Sequence, residues 1–385
     1  MNLVQNLTTK TLLALSLSLG LSGVAVGLDG VTNSNNTIEA QAKTIKVAQY
    51  FTKATAVGYT KASTKGKKYV TLSKGVQLSS VKSYNRSYYS FDYKNKKLYI
   101  LKSKVTKKSI SVGRVGSKPA SKVTTVKQNG FTSKYTVHTK YQKKYPKTYE
   151  ALHTAIKNNK TKLKIDMNEF KDVKDMSTEL GNIFQDIDYN NPKDVVDRHF
   201  HYPTIQTYAY SSTGDFEIKY SLTKTKRTTI IKAQNNKIAS VAKSLAKPKD
   251  SDYKKVKAVN NYLIKNMKYD YTWQTGKDTM ESHLVYGGLT LKKGVCDSYS
   301  KTAEALLNYM GVEAGIMEGA YGGVGHSWNY VKIDGKYYYL DVTFNDSLGN
   351  DDYFLINTTK LAKDHIWDKT YYPVATSNKY MKTKK

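Results

Sequence analysis

The dipeptide Asp334-Gly335 separates two alternating runs, Gly325-His326-Ser327-Trp328-Asn329-Tyr330-Val331-Lys332-Ile333 and Lys336-Tyr337-Tyr338-Tyr339-Leu340-Asp341-Val342-Thr343. A two-residue hairpin turn needs positive φ at its centre, and Asp-Gly tolerates it, so the segment reads as a β-hairpin. The register then follows. With Ile333 opposite Lys336, Trp328 faces Asp341 and His326 faces Thr343, which makes His326 and Asp341 diagonal neighbours on one face. Diagonal positions lie roughly 7–8 Å apart at the backbone, within reach of an imidazole and a carboxylate. Trp328 would shield the pair from water, while Val331, Tyr338, Leu340 and Val342 line the opposite face, toward a core.

The chain has one cysteine, Cys296. A lone cysteine makes no intramolecular disulfide, so it is either a small core filler or a reactive thiol. Its neighbours favour the second. Tyr299, Ala303, Leu306, Leu307 and Met310 recur at the spacing of one helix face, and Gly311 follows as the residue that closes it. Cys296 therefore sits at a helix start. Unsatisfied backbone N–H groups and the helix dipole there favour negative charge on the sulfur and on the oxygen of a carbonyl it attacks. Cys296, His326 and Asp341 together supply a nucleophile, a base and a carboxylate to orient the base.

Three motifs occur in order: Gly294-Val295-Cys296, Gly325-His326-Ser327-Trp328-Asn329, and Asp334 through Thr343. With them, the last part of the chain resembles the bacterial transglutaminase-like domain. The resemblance implies a papain-like α+β fold and a Cys296–His326–Asp341 triad that needs no cofactor. It also implies attack on a carboxamide or peptide carbonyl through a thioester, resolved by an amine (cross-linking) or by water (hydrolysis). Ser298 stands where such proteins often carry Gly, and Phe344 where Trp is frequent, departures that bear on substrate fit. A cell-wall cysteine peptidase or amidase shares the same three groups. A non-catalytic surface-binding protein on the same fold is the reading from another class. His365 reads as a packing residue before a helper of the site, and His283 and Tyr286 as cleft-shaping at most. His199, Phe200 and His201 lack cysteines or spaced carboxylates beside them, so no metal is expected. No Gly-rich phosphate loop is present.

The rest of the chain organises around this domain. Residues 1–42 read as a signal peptide, with Lys10, an apolar run from Thr11 to Leu28, and the small-x-small Ala40-Gln41-Ala42. A membrane anchor is the competing reading, but Ser, Thr and Gly dilute the run. The expectation is a secreted or cell-surface protein with no stable transmembrane anchor. Of the net charge of +31, most lies between Lys43 and Glu150, where 26 Lys or Arg face two acids, Asp92 and Glu150. Residues 43–112 alternate in short runs between polar clusters and read as a small basic all-β module, an SH3-like barrel suited to wall binding. Its charge, carried through residues 43–135, suits an anionic cell-envelope polymer, and export argues against nucleic acid. Solubility alone is the plainer explanation of the charge.

Residues 113–140, rich in Gly, Ser, Lys and Thr, read as a linker. Residues 141–245 read as a mixed α/β segment. Tyr149, Leu152 and Ile156 share one helix face there, as do Met176, Leu180, Ile183 and Phe184. Leu163 through Met167 and Phe216 through Tyr220 alternate like strands. The transglutaminase-like domain is then expected over 246–385, its first helix capped at Asp250-Ser251.

Overall fold

The computed structural model describes residues 45–94, 96–112, 121–189 and 205–382. The signal segment and the 199–201 run lie outside them. Seven strands, from Ile45–Thr52 to Val105–Val112, form one antiparallel sheet. Leu72 and Val105 come from its two end strands, yet both pack with Leu78, Phe91, Leu98 and Ile100 in one core, so the sheet curls on itself. Lys96 and Lys97 expose their side chains from a strand in which Lys96 lies opposite Tyr93.

The expected linker at 113–140 needs correction. Residues 121–138 form a hairpin of β1 (Ser121–Gln128) and β2 (Phe131–His138). Asn129 (φ 49°) and Gly130 (φ 82°) make its turn, the left-handed pair that such hairpins require. Phe131, Ser133, Tyr135 and Val137 alternate inward. Composition suggested flexibility, but β-branched residues around an Asn-Gly turn outweigh it. The hairpin is also tied down. Phe131 enters the C-terminal core, Ser133 Oγ donates to the Tyr309 carbonyl at 2.6 Å, and Asn129 bonds the Tyr309 hydroxyl.

Next come α1 (Pro146–Lys157), β3 (Lys162–Lys164), α2 (Met176–Tyr189), β4 (Ile205–Tyr210) and β5 (Asp215–Tyr220). The two helices turn Tyr149, Leu152, Ile156, Leu180, Ile183 and Phe184 onto Phe216 and Ile218 of a three-stranded sheet. Burying each such side chain contributes about 1.5–3 kcal/mol. The strand expected over Leu163–Met167 stops at Lys164, because Asp166 caps a 3₁₀ turn that starts at Met167.

The third core gathers α3 (Lys224–Leu245), α4 (Asp252–Asn266) and α5 (Cys296–Tyr309). Ile238, Ala242 and Ala246 pack with Val256, Leu263, Leu306 and Leu307, so this core starts upstream of residue 246. Ser251 caps α4 by accepting the Lys254 N–H at 3.3 Å. α5 is buried along almost its whole length. It ends where Gly311 (φ 87°) lets the Gly311 and Val312 N–H groups reach Asn308 O at 3.1 Å and Leu307 O at 2.9 Å.

α5 packs on a four-stranded antiparallel sheet of β6 (Glu313–Tyr321), β7 (Val324–Ile333), β8 (Lys336–Leu340) and β9 (His365–Trp367), in the order β8-β7-β6-β9. This is the mixed helix-and-sheet architecture expected, with its helices against one sheet. At the β6–β7 turn the basic module docks, the Ser80 N–H donating to Gly322 O at 2.9 Å. Among the described residues no helix is long and apolar enough to cross a membrane.

Candidate active site

Cys296 is the first residue of α5, preceded by extended Val295, whose N–H donates to Ser282 O at 2.9 Å. Gly294 admits no side chain, since a Cβ there would stand 2.4 Å from Ser298 Cβ. The loop thus folds tightly onto the first helical turn and fixes where the thiol emerges. Cys296 as a whole is 9% exposed. First-turn N–H groups have no acceptor within their own helix, so they are placed to meet an anionic oxygen beside the sulfur.

His326 lies on β7 opposite Gly319 of β6. Its Nε2 is 2.7 Å from Asp341 Oδ2. Cys296 lies close enough to the same imidazole to favour its charged form, and with Nε2 committed to Asp341, Nδ1 is the nitrogen left to face the sulfur. The ring stacks beside Trp328 at 5.6 Å and meets the edge of Phe344 at 5.2 Å. Burial works against charge on His326, but Asp341 and Cys296 outweigh it and raise its pKa to about 10. Asp341 moves in the opposite sense. Burial disfavours its charge, yet His326 and His365 hold its carboxyl well below the usual range.

The hairpin has the expected register, with Ile333 opposite Lys336 and Asn329 opposite Leu340. It ends three residues sooner than expected, at Leu340 and not Thr343. Asp341 caps α6 (Val342–Leu348), its Oδ1 accepting the Phe344 N–H at 3.0 Å. Val342 and Thr343 are therefore helical and do not pair with β7. His326 and Asp341 meet all the same, because the cap turns Oδ2 back toward the imidazole.

Two further groups surround these three. His365 is not mere packing: its Nε2 lies 3.1 Å from the same Asp341 Oδ2, and its Nδ1 is 2.6 Å from Asp364 Oδ1. The short polar-apolar alternation Asp364-His365-Ile366-Trp367 was its only sequence signal. On the other side, Asp297 follows Cys296 and is buried. Its Oδ1 accepts from Ser327 Oγ at 3.1 Å, and its Oδ2 faces His283 Nδ1 at 3.4 Å and Lys301 Nζ at 3.6 Å. His283 Nε2 reaches Asp278 Oδ2 at 2.7 Å. Ser327 and Asp297 are thus bonded neighbours of His326 and Cys296, and they couple α5 to β7. Tyr286 packs with Ile230 and Leu284, away from this network.

His326, Asp341 and His365 offer ligand atoms within 4.8 Å of one another. Two ligands of a tetrahedral zinc ion stand roughly 3.3 Å apart at ordinary bond lengths. The 2.7 Å contact is shorter and is that of a hydrogen bond.

Residues 239–342 match the family model of the transglutaminase-like superfamily. The chain carries a transglutaminase-like domain. The match begins inside α3 and spans Cys296, His326 and Asp341. The superfamily implies cysteine-based acyl transfer or proteolysis. One similar solved structure is a TGase, 23% identical, with a TM-score of 0.27, covering 32% of this chain and 34% of that one. Another is a proposed cysteine protease from Cytophaga hutchinsonii, 17% identical, with a TM-score of 0.26, covering 37% of this chain and 42% of that one. The chain therefore spans about a third of the first protein and about two fifths of the second. No curated protein matches the chain.

Proposed function

We propose that the protein is a secreted, cell-surface cysteine enzyme that attacks a carboxamide or peptide carbonyl through a thioester. The observation that carries this reading is His326, whose Nε2 lies 2.7 Å from Asp341 Oδ2 and whose imidazole is within electrostatic reach of Cys296 at the start of α5. His326 takes the thiol proton as sulfur bonds to the carbonyl carbon, and Asp341 holds the imidazole in the tautomer that can accept it. Backbone N–H groups at the start of α5 receive the oxyanion. When the intermediate collapses, the C–N bond breaks and His326 returns its proton to the departing nitrogen, leaving a thioester on Cys296. An amine or a water then attacks, gives its proton to His326, and the sulfur leaves as thiol. The products are a new amide or a free acid.

Export rests on the signal-like first 42 residues, and retention at the surface on the basic module. The module's exposed lysines would bind an anionic envelope polymer, and such binding weakens steeply with salt. The deciding experiment offers the protein a glutamine-containing peptide and a tagged primary amine, with Cys296→Ala alongside. Amine incorporation lost in the variant establishes a transamidase. Cys296-dependent release of ammonia or fragments without incorporation establishes an amidase or peptidase. Undiminished turnover in Cys296→Ala overturns the proposal.

A further inference from the structure

We infer that His365 is a positioning residue that holds the Asp341 carboxylate in line with His326. The inference rests on the reading of Cys296, His326 and Asp341 as the working group. His365 opens β9 opposite Tyr321 of β6, and its side chain has no solvent exposure. Pairing two strands at that point would be served equally well by an apolar residue. The polar contacts are what need explaining. His365 places one ring nitrogen within hydrogen-bond distance of each of two carboxylates, Asp341 and Asp364.

These bonds extend the line. Asp364 takes the His365 Nδ1 contact on Oδ1 at 2.6 Å and the Tyr353 hydroxyl on Oδ2. The Tyr353 carbonyl accepts the Asp341 N–H at 3.1 Å, which closes a ring of contacts through backbone and side chains. Asp341 Oδ1 is engaged by the Phe344 N–H at 3.0 Å, and Oδ2 by His326 at 2.7 Å and His365 at 3.1 Å. The two imidazoles thus approach one oxygen from different directions. Without His365, the carboxylate keeps its cap but loses the contact that stops it rotating away from His326.

Tyr321, Trp328, Phe344 and Tyr353 pack around the His365 ring at centroid distances of 5.5, 5.0, 5.0 and 5.5 Å. The box keeps water from competing for Oδ2, which makes one lost protein donor more costly than it would be at a surface. Trp328 and Phe344 also touch His326, so the same walls serve both imidazoles.

The test measures the rate at which iodoacetamide alkylates Cys296 in the full chain, across the pH range where imidazole titrates. Tryptophan-monitored melting runs beside it. His365→Gln keeps an N–H near the Nε2 position, toward Asp341, whereas His365→Asn keeps one near Nδ1, toward Asp364, and falls short of Asp341. His365→Phe keeps a ring and no donor. His365→Asn and His365→Phe are expected to slow alkylation roughly tenfold, the effect of one hydrogen bond to a charged group, and to shift the pH profile. His365→Gln is expected to recover most of the rate. Having both Asn and Phe variants keeps the test alive if one fails to fold. His326→Ala separates the two readings. An unchanged rate in His326→Ala overturns the underlying assignment. A slow His326→Ala with Asn and Phe variants at the wild-type rate, or with Gln as slow as Asn, overturns the role of His365.

Discussion

Replacing Asp297 with Asn tests whether the buried network behind Cys296 is held by charge. Burial pushes the Asp297 carboxyl up, but Lys301 and His283 outweigh it and hold it well below the usual range. Lys301 and His283 are themselves buried. Removing one member of a buried ionic group costs about 3–5 kcal/mol, because the partner is left uncompensated. Here the partners keep something. Lys301 Nζ still donates to the His283 carbonyl at 3.0 Å, and His283 still has Asp278 at 2.7 Å. The expected loss is therefore at the lower end, about 3 kcal/mol. Urea unfolding followed by tryptophan emission is the assay, since Trp273, Trp328 and Trp367 are the chain's three tryptophans and all lie in the C-terminal unit, so the other cores do not confuse the signal. Adding Lys301→Met to Asp297→Asn removes the stranded cation and should restore at least about 1 kcal/mol. A single variant within about 1 kcal/mol of wild type, or a double variant no more stable than the single, refutes the reasoning.

The same domain should weaken in alkali. Burial lowers the His283 pKa, yet Asp278 and Asp297 raise it to about 9; the folded value thus exceeds the unfolded one, and the stabilisation is complete below pH 6.5 and lost as pH climbs through about 9. It amounts to at most about 3.4 kcal/mol, and His283→Gln should make the unfolding free energy fall less steeply over that window, the part due to His326 remaining; an equal slope in both proteins counts against it. Phe131→Ala should destabilise the tryptophan-reported unit by about 3 kcal/mol or more, and no change would mean that the β1–β2 hairpin is not part of that core. Gly319→Ala puts a Cβ 2.1 Å from Ile366 O and 2.7 Å from Trp328, so it should cost about 1–3 kcal/mol and loosen β9, whereas an unaltered melting curve would contradict the β6–β9 pairing.

Local chemistry made much of the C-terminal half legible. The Asp334-Gly335 turn fixed a register, the stripe from Tyr299 to Met310 marked a buried helix, and Gly311 marked its end. What stayed hidden depended on partners distant in sequence. The β1–β2 hairpin has a composition that looks like a tether, and only Asn129-Gly130 betrays it; its docking on Tyr309 joins residues as many as 180 apart in sequence. α3 carries Lys and Asn on much of its surface, so its apolar stripe of Ile230, Ile238 and Ala242 is narrow and easily passed over. His365 is a three-residue strand's first residue, with no periodicity to read, and its place beside Asp341 follows from sheet pairing with β6 alone.

Asp341 shows how a sequence argument can reach the right pair by a different route from the one the chain takes. Strand alternation put Asp341 and His326 on one face by extending the hairpin to Thr343. In the structure the strand has already ended, and Asp341 is the N-cap of α6. Capping is the stronger device for this purpose. A strand residue's carboxylate swings freely about its side-chain torsions, whereas a cap fixes one oxygen on a backbone N–H and thereby directs the other. With Oδ1 held by Phe344, Oδ2 has one direction left, and that direction holds both imidazoles. A glutamate would lengthen the arm, making cap and imidazole hard to satisfy together, and an asparagine that kept its oxygen on Phe344 would turn its amide N–H₂ toward His326. That group demands an acceptor at Nε2, which moves the imidazole proton to the nitrogen facing Cys296, where a base needs a lone pair. The aspartate therefore follows from three requirements at once: ending a strand, starting a helix and selecting a tautomer.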